Sequence, residues 1–242
     1  MLYDNAFFDE LSSVSLDSAR IIVPILLKTI RFQSVLDVGC GRGAWLVAFQ
    51  ENGVETVRGI DGPHVDLSQL LISPSCFSSA DLCKPLKIDE QYDLAICLEV
   101  VEHLPTRAGR ALVELLTGTA PLVLFSAAVP GQGGTGHITE EWSPYWEGIF
   151  SRYEFRRLDP IRRHIWLDNS IGWWYRQNLF LYAHRDAIKK SEALQEEERF
   201  AAKASFDLLH VNILSQHLTL SGLLRQMPAA LRRAFRHAMF RS

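Results

Sequence analysis

The stretch Val35-Leu-Asp-Val-Gly-Cys-Gly-Arg-Gly-Ala-Trp45 decides the reading of this chain. A short apolar run with β-branched valines enters three alternating glycines, Gly39, Gly41 and Gly43, and the helix-compatible segment Ala44–Asn52 follows. Glycine permits tight turns and lets a ligand come close to the backbone. Strand, glycine turn and helix in that order place a ligand site at the C-terminal end of a first strand, where open α/β sheets bind their ligands.

Outward from that point, strand-like and helix-like runs alternate. Thr56–Ile60 reads as a second strand, Cys76–Ala80 as a short third, and Tyr92–Leu98, Pro121–Ala127, Phe155–Leu158 and Asn178–Ala183 as further strands. Arg107–Leu116 reads as a helix capped by Thr106. Ser143-Pro144 opens another that runs to about Tyr153. Such alternation implies an α/β fold built on a parallel sheet. Residues 1–33 read as a helical addition in which Ser15 or Asp17 caps a segment with Pro24 in its first turns or at a kink. Residues 34–185 form the main domain, and residues 186–242, rich in Ala, Leu, Glu and Arg, form a helical extension.

The glycine spacing also fits a dinucleotide fingerprint. Asp37, two residues before the first glycine, argues against it, because a carboxylate there repels a pyrophosphate and suits a cationic amine. That favours S-adenosylmethionine over NAD.

Asp37-Val-Gly-Cys-Gly-Arg-Gly43 resembles the first motif of class I S-adenosylmethionine-dependent methyltransferases, and later motifs arrive in that family's order over residues 34–185. The resemblance implies a Rossmann-like sheet of seven strands, mostly parallel with the last antiparallel, and helices on both faces. It assigns Asp37, Gly39, Cys40, Gly41 and Gly43 to the cofactor's amino-acid end. It assigns Asp61, in Gly59-Ile-Asp61, to the ribose hydroxyls, and Asp81 with Leu82 to adenine. Leu98 and Glu99, ending the fourth strand, approach the methionine moiety.

Glu99-Val-Val-Glu102-His103 then brings two carboxylates and an imidazole onto one face if the segment is helical, since positions i, i+3 and i+4 are neighbours there. His137, in Gly131-Gln-Gly-Gly-Thr-Gly-His137, follows the fifth strand and opens on the same sheet edge. A mixed oxygen and nitrogen set of Glu99, Glu102, His103 and His137 suits Mg²⁺, Mn²⁺ or Fe²⁺. The pattern is similar to that of metal-dependent O-methyltransferases, including small-RNA 2′-O-methyltransferases and ubiquinone-pathway enzymes. Without a metal, His103 is the catalytic base by its ordinary pKa.

The loop from Gly131 to Ser143 is too rich in glycine to be core and reads as a substrate lid. The aromatics Trp142, Tyr145, Trp146, Phe150 and Trp173-Trp-Tyr175 read as packing or as the lining of an acceptor pocket. Together they resemble a bacterial subgroup presumed to act on sugars or secondary metabolites. The expected activity is therefore O-methylation of a small hydroxylated acceptor. RNA 2′-O-methylation, a nicotinamide-dependent oxidoreductase and a non-catalytic cofactor-binding module are the alternatives.

The 242 residues are 48% hydrophobic and 22% charged, which excludes disorder as the main state. A net charge of −3 speaks against a chain built around nucleic-acid phosphates, and no DNA partner is expected. Four cysteines without a Cys-x-x-Cys pair, no long apolar run and an acidic start point to a reduced, cytoplasmic protein. Gly222–Ser242 carries five arginines and no acid at mainly helical spacing, which suits a contact with an anionic membrane or a partner protein.

Overall fold

The computed structural model describes residues 5–203 and 208–213, with side chains from residue 13 onward. Seven strands form one sheet: β1 (Ser34–Val38), β2 (Thr56–Asp61), β3 (Phe77–Ser79), β4 (Leu94–Leu98), β5 (Leu122–Ser126), β6 (Phe155–Leu158) and β7 (Phe180–His184). Their order is β3-β2-β1-β4-β5-β7-β6. β1 pairs in parallel with β2 and β4, β2 with β3, and β4 with β5, whereas β7 is antiparallel to both β5 and β6. The seven-stranded, mostly parallel sheet with an antiparallel last strand is thus the expected one.

The helices are α1 (Asn5–Thr29), α2 (Ala44–Glu51), α3 (Thr106–Thr119), α4 (Ser143–Phe150), α5 (Arg162–Ile165), α6 (Trp173–Asn178), α7 (Arg185–Lys190) and α8 (Glu192–Ala201). Strand residues alternate between two apolar clusters because successive side chains leave a strand on opposite faces. Val35, Leu94, Ile96, Leu124 and Leu181 pack with Ile22 and Leu26 of α1, Leu46 and Phe49 of α2, and Tyr175 of α6. Leu36, Val38, Cys97, Val123, Phe125 and Tyr182 pack with Leu112 and Leu116 of α3 and Trp146 and Phe150 of α4. The central strands are buried on both faces, as a covered parallel sheet requires.

Local readings differ from the structure in three places. Ser15 and Asp17 lie inside α1 rather than at its start, and Pro24 sits in its last third. The helix tolerates Pro24 because Ile22, Val23, Leu26 and Leu27 on either side are buried. Pro105, not Thr106, is the cap residue of α3. The aromatic run before β7 forms the short helix α6, which takes in Asn178, so β7 begins two residues later than read.

Residues 1–207 and 208–242 form two units. In the second, residues 211–213 are one helical turn. The arginine-rich segment from Gly222 lies outside the described residues. Among the described residues no helix is long and apolar enough to cross a membrane.

Candidate active site

β1 ends at Asp37 and Val38, and the chain then folds back over the sheet edge. Gly39, Gly41 and Gly43 all have positive φ, at 86°, 53° and 88°. A Cβ on Gly39 would lie 2.2 Å from Val100 Cγ2 and one on Gly43 2.9 Å from Ile72, so both are packed closed. A Cβ on Gly41 would meet nothing within 4 Å, so this turn is open on one side. The Gly39 N–H donates to the Ile60 carbonyl at 2.7 Å, which joins the turn to β2. Cys40 turns its thiol down toward Gly59 and Leu46, and burial raises its pKa far above the usual thiol range. A ligand on the turn therefore meets the Cys40 backbone rather than its sulfur.

Two carboxylates flank the turn. Asp37 is buried, and desolvation, aided by the charge of Asp61, pushes its pKa well above the ordinary value. Asp61 closes β2, and its two oxygens accept the N–H groups of Gly41 and Gly62, each at 2.6 Å. Burial raises its pKa, while those two hydrogen bonds pull it back. Asp81 is exposed; it accepts the Cys83 N–H at 3.0 Å and pairs with Lys84 at 3.2 Å, which lowers its pKa. In this geometry Asp81 shapes its own turn, and Leu82 packs against the second apolar cluster. Leu98 is buried as the last residue of β4.

Beyond β4 the chain does not continue as an α-helix. Glu99 takes a left-handed φ of 55°, and a 3-10 turn spans Val101–His103. Glu102, His103 and His137 bring one ligand atom each within 4.8 Å of one another. Glu99, expected as a fourth ligand, is not in that group. It lies outside the 3-10 turn, so the helical spacing argument does not reach it. Its carboxylate instead accepts the Gln132 side-chain amide at 2.8 Å and that of Asn178 at 3.1 Å.

His137 reaches the cluster because its loop is tied down. The Glu102 carbonyl accepts the N–H groups of Ile138 and Thr139, at 2.8 and 3.0 Å. The Thr139 hydroxyl donates to the Leu104 carbonyl at 2.9 Å. Glu140 meets His137 Nδ1 at 3.1 Å and also accepts the N–H groups of Gly131 and Gly133. The loop read as a lid is therefore anchored at its His137 end, while Ile138 and Trp142 remain exposed beside it. The rings of His103 and His137 stand edge to face, 4.8 Å apart.

Burial, together with the charge of Glu99, raises the Glu102 pKa well above normal. The His103 pKa falls, first from burial and then from the neighbouring His137. Glu102 Oε1 accepts the Ala128 N–H at 3.3 Å, whereas Oε2 is buried with no donor, and the Glu99 carboxylate lies close enough to share a proton with Glu102. A buried orphan oxygen beside two imidazoles is a donor set that a divalent cation satisfies. Glu140 behind His137 has the place of the carboxylates that orient metal-binding histidines. Glu102, His103 and His137 thus fit a cation of the Mg²⁺ or Mn²⁺ type.

The aromatics divide. Trp146 and Phe150 are core, whereas the Tyr175 hydroxyl meets Ser15 at 3.1 Å and Trp45 at 3.3 Å, joining α6 to α1 and α2. Sequence reasoning missed Gln132, Glu140 and Asn178. The only signal near the first two is their place in the glycine-rich loop around His137.

Residues 15–125 match the model of a methyltransferase domain family. Over 107 residues the chain is 28% identical to a ubiquinone biosynthesis O-methyltransferase of Neisseria meningitidis, a match covering 40% of this chain and 44% of that protein. The chain thus spans less than half the length of that curated relative. An O-methyltransferase family protein from Burkholderia thailandensis superposes with a TM-score of 0.53 at 13% identity, over 76% of this chain and 60% of the other. A magnesium protoporphyrin IX methyltransferase from Synechocystis with bound S-adenosylmethionine gives 0.52 at 16% identity, over 75% and 86%. Glycine turn and strand order agree with the match over residues 15–125: in that stretch the chain is similar to a methyltransferase domain, and its sheet has the fold of solved methyltransferases.

Proposed function

We propose that the protein transfers the methyl group of S-adenosylmethionine to an oxygen of a small hydroxylated acceptor, such as a sugar or secondary metabolite, with a divalent cation at Glu102, His103 and His137. The observation that carries this reading is the convergence of those three side chains at the edge of the sheet that also holds the glycine turn.

Bound S-adenosylmethionine supplies an activated methyl group, and the cation supplies a Lewis acid that lowers a hydroxyl's pKa and fixes it in line. The chain's own residues do the rest. The open side of Gly41 admits the cofactor's amino-acid end, and Asp37 offers that end a negative charge. Asp61 presents its carboxylate to the ribose from the end of β2. Asp81 and Leu82, in the turn after β3, would be the residues that meet adenine. His103, whose pKa burial lowers, offers a lone pair either to the cation or to the hydroxyl proton. The main contribution is alignment of acceptor oxygen, methyl and sulfur, since the transfer needs no covalent intermediate on the protein.

Titration calorimetry with S-adenosylhomocysteine, in EDTA and again with Mn²⁺, tests the reading without knowledge of the acceptor. Micromolar binding and a separate heat for Mn²⁺ are expected. Folded protein that binds neither would return the nicotinamide and scaffold alternatives to the front. A preference for short RNA over glycosides as methyl acceptor would replace the acceptor class while leaving the rest intact.

A further inference from the structure

Three side chains from neighbouring strand ends close a ring behind the reaction centre: Glu99 after β4, Gln132 after β5 and Asn178 before β7. Asn178 Nδ2 donates to Glu99 Oε1 at 3.1 Å and to Gln132 Oε1 at 2.8 Å. Gln132 Nε2 donates to Glu99 Oε2 at 2.8 Å, and its Oε1 also accepts the Val129 N–H at 3.3 Å. Gln132 and Asn178 expose only 5% and 4% of their surface. The orientation of Asn178 is forced, because turning its amide would set an oxygen against two acceptors. As a result Asn178 Oδ1 faces away, buried and without a partner. The unpaired carbonyl oxygen is the cost of aiming the Asn178 amide at Glu99 and Gln132.

Glu99 is fixed in other ways too. Its left-handed φ is a conformation that non-glycine residues rarely keep unless their surroundings hold them there. Its N–H donates to both the carbonyl and the hydroxyl of Ser126, each at 3.1 Å. Glu99 follows β4, which pairs in parallel with β1, and the next residue, Val100, packs on Gly39, so Glu99 leaves the sheet at the same edge as the glycine turn. Its two oxygens each carry an amide hydrogen bond, and it stays out of the group of three converging ligands.

We infer that Asn178 is a positioning residue, which with Gln132 holds the Glu99 carboxylate toward the cationic amino-acid end of the cofactor and apart from the cation at Glu102, His103 and His137. The inference rests on the function proposed above. It gives the two acids of the cluster separate roles, with Glu99 serving the cofactor and Glu102 the cation.

The test is a double-mutant cycle read by S-adenosylhomocysteine affinity, with Mn²⁺ affinity followed in parallel by electron paramagnetic resonance. Asn178→Ala and Glu99→Gln should each weaken S-adenosylhomocysteine about tenfold, in the range of a hydrogen-bonded charge. The double variant should be no weaker than Glu99→Gln alone, because Asn178 acts only through that carboxylate. Mn²⁺ affinity of Asn178→Ala should stay within about twofold of the parent. Additive losses, or a parallel fall in Mn²⁺ affinity, would overturn the inference. So would an Asn178→Ala protein that binds S-adenosylhomocysteine as the parent does. If Asn178→Ala fails to fold, Gln132→Ala removes the other amide and carries the same cycle with the same expectations. A parent protein that is folded and binds no S-adenosylhomocysteine would instead overturn the proposed function beneath it.

Discussion

The Asp61 carboxylate accepts the Gly41 N–H at 2.6 Å, which locks the end of β2 to the centre of the glycine turn. Under the proposed function the same side chain would also meet the ribose hydroxyls. Asp61→Ala should weaken S-adenosylhomocysteine by about 1.5–3 kcal/mol, the scale of a hydrogen bond to a charged group. It should also lower the melting temperature, because the Gly41 and Gly62 N–H groups lose their acceptor. Calorimetry and thermal melts check the pair, and unchanged affinity would remove Asp61 from the cofactor site.

Glu140 tests the cation site without touching its ligands. It holds His137 through Nδ1 and is itself held by the N–H groups of Gly131 and Gly133. Changing a carboxylate behind a metal-binding histidine typically costs about 10–100-fold in metal affinity. Glu140→Gln is expected to lose Mn²⁺ affinity in that range and to keep S-adenosylhomocysteine affinity within about twofold. Equal Mn²⁺ binding in the variant and the parent would argue against a cation at His137.

The buried Asp37 gives a pH prediction. Desolvation raises its pKa well above the ordinary 3.8 in the free protein. A carboxyl whose folded pKa is raised contributes stability at low pH and loses it as pH rises through the folded value. A cationic amine placed beside it reverses the shift, so between the two values binding drives a proton off Asp37. S-adenosylhomocysteine binding should therefore release a proton in that window, seen as a binding enthalpy that changes with the ionisation enthalpy of the buffer. Asp37→Asn should reduce the buffer dependence, leaving only the share released by the similarly raised Glu99, and an undiminished dependence would assign the proton to another group.

Much of the fold was legible because it depends on local pattern. The buried run before Gly39, the alternating strands and β6 at Phe155–Leu158 follow from apolar periodicity and turn residues. The cluster of Glu102, His103 and His137 was legible in part. His137 and the Glu102-His103 pair stood out by residue type, but Glu99 was placed by a helical rule that its left-handed backbone breaks. Asn178 was not legible. Its role arises because β7 runs antiparallel, which brings the residue just before that strand to the edge where β4 and β5 end. The Gln132 contact with Asn178 joins residues 46 apart in sequence. The contact of Tyr175 with Ser15 joins residues 160 apart in sequence and leaves no local periodic mark.

The glycine turn separates folding from binding in a single comparison. Gly39 and Gly41 both have positive φ, but their surroundings are opposite: Val100 presses on the first, and open space faces the second. Gly39→Ala should cost about 1–3 kcal/mol from overpacking, with about 1–2 kcal/mol more from its left-handed backbone. Gly41→Ala carries only the backbone cost of about 1–2 kcal/mol. Its methyl would project into the space where the ligand must approach, so the variant should fold and yet bind S-adenosylhomocysteine at least about tenfold more weakly, the loss expected from about 1.4 kcal/mol or more of steric conflict. Denaturant unfolding and calorimetry on the two variants measure both quantities. Full affinity in Gly41→Ala would show that the open side of the turn is not where the ligand sits.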